Sequence, residues 1–137
     1  MKFDKSKIEQ AIAKAEEQTS GEISVHLTSF TGQDVLGSAK NTFEKLGLTA
    51  TRERNAILFY IAKRSHKFAI LGDTGIHEKV QQEFWDAIRD KMVSHFKKEK
   101  FTECLVEAIL LCGEKLKAYF PVTEDNPNEL SNVVSED

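Results

Sequence analysis

Seven consecutive residues without a formal charge or side-chain amide, Ala56-Ile57-Leu58-Phe59-Tyr60-Ile61-Ala62, constrain the fold of this chain more than any other feature. The stretch lies between the polar link Thr49 to Arg54 and the polar turn Lys63 to Lys67, and it offers no hydrophilic face to water. A strand of that kind has to be covered on both sides. It is therefore the central strand of a layered protein, and the other segments must supply the layers.

They do so in order. Residues 6–19 place Ile8, Ile12 and Ala15 on one face, with Ser6 and Glu9 spaced as a capping box and Gly21 as the C-terminal cap, which predicts an amphipathic helix. From Glu22 to Phe30 the chain alternates, Ile23, Val25 and Leu27 against Ser24, His26 and Thr28. That is the period of a half-exposed strand, and it sends His26 toward water or a covering helix. Asp34 is placed to cap a second helix carrying Val35, Leu36, Ala39, Phe43 and Leu46, stopped by Gly47.

Beyond the central strand, the short turn Lys63 to Lys67 leads into Phe68-Ala69-Ile70-Leu71, so these two strands are expected to pair as an antiparallel hairpin. Gly72-Asp73-Thr74-Gly75 ends the third strand. Two helices follow, 76–97 with Val80, Phe84, Ile88, Met92 and Phe96, and 101–119 with Leu105, Ala108, Ile109, Cys112 and Leu116, each with an apolar stripe. The succession α-β-α-β-β-α-α predicts a three-layer α/β/α sandwich around a small mixed sheet.

A chain of 137 residues is enough for one core, assigned here to residues 1–120. From Pro121 the composition turns to Glu, Asp, Asn and Ser, so 121–137 is expected to be a disordered acidic tail. A net charge of −3 gives no positive field for a phosphate backbone, and no nucleic-acid partner is expected. No apolar run approaches the roughly 18 residues of a spanning helix, and no signal-peptide core follows Met1, which predicts a cytoplasmic protein without a membrane span. Cys104 and Cys112 sit eight apart on one predicted helix. At the helical rise that is roughly 12 Å, beyond disulfide reach, and both are read as buried thiols.

The predicted topology also points to a site. A crossover through the second helix makes the first two strands parallel, and the hairpin reverses the third. One rim then collects the start of the first strand, the link before the second and the end of the third, bringing Glu22, Glu53 and Asp73 toward each other. With Asn55 and Thr74 as supplementary oxygens, this set has the ligand types that calcium or magnesium takes. His26, His66, His77 and His95 show no zinc spacing. The alternative is that these acids pair with Arg52 and Arg54 as a solvated salt-bridge rim.

The opposite rim, beyond the carboxyl ends of the parallel strands, holds Thr28, Ser29 and Thr31 beside the turn Lys63-Arg64-Ser65-His66. It is read either as an anion site with Arg64 as bidentate donor or as a solubilised hairpin tip. Phe84-Trp85 falls at core spacing from Val80 and Ile88. No dinucleotide or P-loop fingerprint is present, and no nucleophile stands out.

Four stretches in this order resemble the TPM domain family, known from thylakoid-lumen phosphatase-like proteins, photosystem II repair proteins and a nematode receptor modulator. They are Thr19-Ser20-Gly21-Glu22-Ile23 after the opening helix, Arg54-Asn55-Ala56 through Ala62, Lys67 through Ile76, and the final helix after Phe101. The resemblance spans residues 4–119 and is to a small stand-alone cytosolic bacterial branch. It implies a Rossmann-like α/β/α sandwich, divalent-cation binding by some members, and acid-phosphatase activity in the plant lumen branch. Many members show Asp-Asn-Gly where this chain has Arg54-Asn55-Ala56, and Gly-x-Gly-x-Glu where it has Gly72 to His77. Two family acids are thus absent, with Glu53 and Asp73 as nearby substitutes. The functional expectation is a domain that binds calcium or magnesium. The alternatives are a metal-dependent phosphatase acting on a phosphomonoester and a non-catalytic module for a protein partner.

Overall fold

The computed structural model describes residues 1–122 and 132–137. The elements are α1 (Lys5–Glu16), β1 (Glu22–Thr28), α2 (Val35–Lys45), a single 3-10 turn (Leu48–Ala50), β2 (Ala56–Ala62), β3 (Lys67–Gly72), α3 (Thr74–Lys97), α4 (Phe101–Tyr119) and β4 (Ser135–Glu136). They form one mixed sheet of order β3-β2-β1-β4. β1 runs parallel to β2, β2 antiparallel to β3, and β4 parallel to β1. The first two pairings are those the sequence pattern predicts, the third is not, and the α/β sandwich is the fold expected.

Every residue of β2 is buried, as a strand with no hydrophilic face requires. Ile57, Phe59 and Ile61 face a core built with Ile8 and Ile12 of α1, Ile88 and Met92 of α3, and Leu105, Ile109 and Leu116 of α4. Ala56, Leu58 and Tyr60 face the other way, against Ala39 and Phe43 of α2 and Leu48. The period-two alternation of one strand thus sorts two cores of unequal thickness.

Close approach at two glycines sets the spacing of these layers. A Cβ on Gly113 of α4 would lie 2.7 Å from the Ala15 Cβ of α1, and one on Gly21 would lie 2.6 Å from Leu116 Cδ2. Gly21 is therefore a packing glycine and not the cap of α1, whose last turn closes at Glu17. The N-terminal cap is also displaced from the Ser6–Glu9 box: Asp4 Oδ1 accepts from Lys7 N–H at 3.2 Å. Asp34 caps α2 as its position predicts, accepting from Gly37 N–H at 2.9 Å, and Gly47 takes the left-handed conformation that ends that helix (φ 71°).

Three further departures concern element ends. Asp73 is the N-cap of α3, so Gly72 to Gly75 is the strand–helix joint itself. α3 is broken at Gln81, where φ is 64° and ψ 175°. The expectation of a disordered tail over 121–137 falls, for residues 123–131, outside the described residues. For Ser135 and Glu136 the structure shows a strand paired with His26 and Leu27 instead. The acidic composition concealed this because the pairing is held by specific partners of each side chain and not by a hydrophobic alternation.

Candidate functional site

The rim where β1 and β2 begin is held by backbone and side-chain polar groups. Thr19 Oγ1 donates to the Phe120 carbonyl at 2.5 Å and accepts from Gly21 N–H at 3.0 Å. This folds the chain sharply back after α1. Glu16 on the last turn of α1 is thereby brought against Glu22 at the start of β1, and its Oε2 accepts from Ile23 N–H at 2.7 Å. Glu22 is almost fully buried. Burial pushes the Glu16 carboxyl up to about 8 against the lowering effect of the Ile23 N–H, while the charge of Glu22 and a hydrogen bond between the two side chains add to the rise. Near neutral pH the pair therefore shares a proton.

Asn55 completes this rim. It is 1% exposed, its amide nitrogen donates to Ser20 Oγ at 3.2 Å, and its backbone carbonyl accepts from Glu22 N–H at 3.5 Å. Its Oδ1, like Glu16 Oε1, is buried with no hydrogen-bond partner among the described residues. Such groups in a folded interior call for an explanation, since a buried acceptor left unmatched costs about 1–3 kcal/mol.

Of the residues expected to share an ion, the structure brings Glu22 and Asn55 to the same rim but does not gather the three acids. Among the described residues no group of three His, Cys, Asp or Glu side chains is placed to hold a metal ion. Glu53 and Thr74 are exposed. Asp73 is buried, and Arg54 takes both of its oxygens, Nε at 2.6 Å from Oδ2 and a terminal nitrogen at 2.8 Å from Oδ1, while Thr74 N–H donates to Oδ1 at 2.8 Å. A carboxylate engaged by a guanidinium fork and a helix N–H is already satisfied. The salt-bridge alternative thus describes Asp73. Arg54 stands at φ 52°, and its carbonyl accepts from Gly75 N–H at 2.8 Å, so this joint fixes the link 51–55 onto the start of α3.

The opposite rim is likewise closed on itself. Thr31 N–H donates to Ser65 Oγ at 2.9 Å and Thr31 Oγ1 to Ser38 Oγ at 3.2 Å. Arg64 lies over the exposed Phe30 ring, 5.7 Å from its centroid. These contacts favour the reading as a hairpin tip braced to the β1–α2 loop.

A family model described as the TPM domain matches residues 1–115. This chain belongs to the TPM domain family. The stretches around Glu22, Asn55 and Asp73 lie within the matched residues. No curated protein matches the chain. Among solved structures it is similar to the BA42 protein from the psychrophilic bacterium Bizionia argentinensis, 36% identical over 100% of this chain and 97% of that one, with a TM-score of 0.89. The N-terminal domain of the cg2496 protein from Corynebacterium glutamicum shares the fold at 16% identity, covering 81% of this chain and 70% of that one, with a TM-score of 0.63.

Cys104 and Cys112 are buried, and burial pushes the Cys104 thiol up to about 12 and that of Cys112 up as well, which keeps both from acting as thiolates near neutral pH. Trp85 is in the core, as its spacing predicts, and donates from Nε1 to His77 Nδ1 at 3.0 Å. No helix among the described residues is long and apolar enough to cross a membrane. Glu16 and His26 are the residues that sequence reasoning missed. Glu16 looked like one more polar position of an amphipathic helix, and only the Thr19 turn brings it inward. His26, expected at a solvated or helix-covered face, is buried because residues 134–137 pass beside it.

Proposed function

We propose that this TPM domain binds a divalent cation, calcium or magnesium, at the rim where β1 and β2 begin, with Glu16, Glu22 and Asn55 as its protein ligands. The observation that carries the proposal is the pairing of the half-buried Glu16 carboxyl with the buried one of Glu22, beside a buried amide oxygen that has no donor among the described residues. All three residues offer hard oxygen, the donor class of these ions, and Ser20 adds a hydroxyl next to Asn55. A +2 charge there would take the place of the proton that the carboxyl pair shares, offsetting the burial and, with it, the Glu22 charge that raise Glu16. Glu22 and Asn55 are retained from the sequence-derived ligand set, and Glu16 replaces Glu53, Asp73 and Thr74.

Isothermal calorimetry and thermal melting with calcium chloride and magnesium chloride test this directly. One cation is expected to raise the melting temperature with concentration, since it binds only the native state. Because binding displaces a proton, the heat should vary with the ionisation enthalpy of the buffer and the affinity should grow from pH 6 toward about pH 8. Glu22→Gln is expected to abolish binding and Glu53→Ala to leave it unchanged. No thermal shift at millimolar calcium or magnesium, or full binding in Glu22→Gln, would sink the proposal.

A further inference from the structure

Residues 134–137 are held against the outer edge of β1 one side chain at a time. Val134 is 5% exposed, packed into the main core, and its N–H donates to Glu9 Oε2 of α1 at 2.8 Å. Ser135 Oγ lies 2.7 Å from His26 Nδ1 and 3.4 Å from the Val25 carbonyl to which it donates. Glu136 is clasped between Lys5 of α1 and Lys63 at the end of β2. Asp137 Oδ1 lies 3.3 Å from His26 Nε2, and its N–H donates to the Leu27 carbonyl at 3.2 Å. His26 is itself stacked on Tyr60, the ring centroids 5.9 Å apart.

The strand ladder is only two residues long, too little for main-chain pairing alone to hold an edge strand. What fixes the segment is a series of sockets matched to side-chain chemistry. There is an apolar socket for the first residue, an imidazole for the hydroxyl of the second, a pair of ammonium groups for the third, and the far side of the same imidazole for the fourth. The polar sockets stand on α1, on β1 and on the residue that follows β2, and the apolar one is the main core itself.

We propose that this edge of β1 is a docking site for an extended acidic segment of a partner protein, of the form apolar–hydroxyl–acid–acid, and that residues 134–137 are its intramolecular occupant. Main-chain pairing with β1 supplies affinity in such strand addition, and the sockets supply the sequence preference. Charge complementarity selects the partner, since Lys5 and Lys63 offer two cations to one carboxylate. The tethered occupant sets a threshold. A partner segment gains the site only in competition with it, at high local concentration or when the occupant is released.

The 137-residue chain with Glu136→Lys, and with Glu136→Lys and Asp137→Lys together, tests this. Release of the segment is followed by amide exchange at residue 137, whose N–H bonds to Leu27. Binding is followed by amide shifts of His26 and Leu27 on titration with a synthetic peptide of residues 132–137. The released chain is expected to bind the peptide at least tenfold more tightly than the unaltered chain. A further Lys63→Glu change should remove that binding, as should a peptide whose glutamate is replaced by lysine. A released chain that ignores the peptide overturns the proposal. So does binding indifferent to Lys63→Glu, or a segment that stays docked in both variants.

Discussion

At the scale of single residues, Glu16 ties the stability of the protein to pH. Its carboxyl titrates near 8 in the folded chain against an ordinary 4.5, so between those values the native state keeps a proton that the unfolded chain has released. The contribution of Glu16 is then complete below about 4.5 and falls as pH rises toward about 8, by at most ~1.4 kcal/mol per unit. Glu16→Gln, which keeps size and hydrogen bonding without the titration, should flatten that fall. Melting temperatures from about pH 5 to about pH 9 decide the matter, and equal slopes in the two proteins would refute it. A second prediction concerns the β3–α3 joint. A Cβ at Gly75 would lie 2.0 Å from the Glu53 carbonyl oxygen, a backbone atom with nowhere to retreat. Gly75→Ala should therefore destabilise by roughly 2 kcal/mol or more, read from urea unfolding. Glu22 and Asn55 were legible in the sequence because strand period and topology place them at one rim. Glu16 was not, because the turn that returns it to β1 depends on Thr19 bonding across to Phe120, a partner about a hundred positions away.

The regular elements were the most legible part, and the breaks within them the least. β2 announced itself by composition, and the apolar alternation of β1 and the spacing of α4 did nearly as well, since in each case burial and local period agree. α3 shows where that agreement ends. Val80, Phe84, Ile88 and Met92 continue one helical stripe, yet Gln81 leaves the helix with φ 64° and ψ 175°. Hydrophobic period carries no information on a single dihedral pair. That conformation belongs almost entirely to glycine and costs about 1–3 kcal/mol for any other residue. The stripe survives because Ile76 on one side of the break and Trp85 on the other are both buried in the same core. Gln81→Gly should consequently raise the unfolding free energy by about 1 kcal/mol, against the usual loss for glycine in a helix. Equilibrium denaturation measures it; a loss of stability would mean that the break closes readily.

For the whole molecule, the consequence of burying β2 on both faces is that the two covering layers do not contribute equally. α1, α3 and α4 share one continuous core with Ile57, Phe59 and Ile61, whereas α2 covers the other face through Ala39 and Phe43 against Ala56, Leu58 and Tyr60. Removing a buried phenylalanine ring costs about 3–5 kcal/mol, a large part of the 5–15 kcal/mol that holds a domain of this size together. Phe59 is completely buried in the shared core, so Phe59→Ala should lower the stability of every element at once. Phe43 anchors the thinner layer. Its loss to alanine should free α2 to open on its own, because it is the one large buried side chain by which that helix packs on the sheet, Ala39 being small and Val35 and Leu46 only partly buried. Amide exchange distinguishes the two outcomes. In Phe43→Ala the α2 amides should exchange faster while those of β2 and α4 keep most of their protection, and in Phe59→Ala protection should fall together across the sheet and helices. Uniform loss in both variants would show instead that the two cores open as one cooperative unit, with α2 as firmly integrated as the layer opposite.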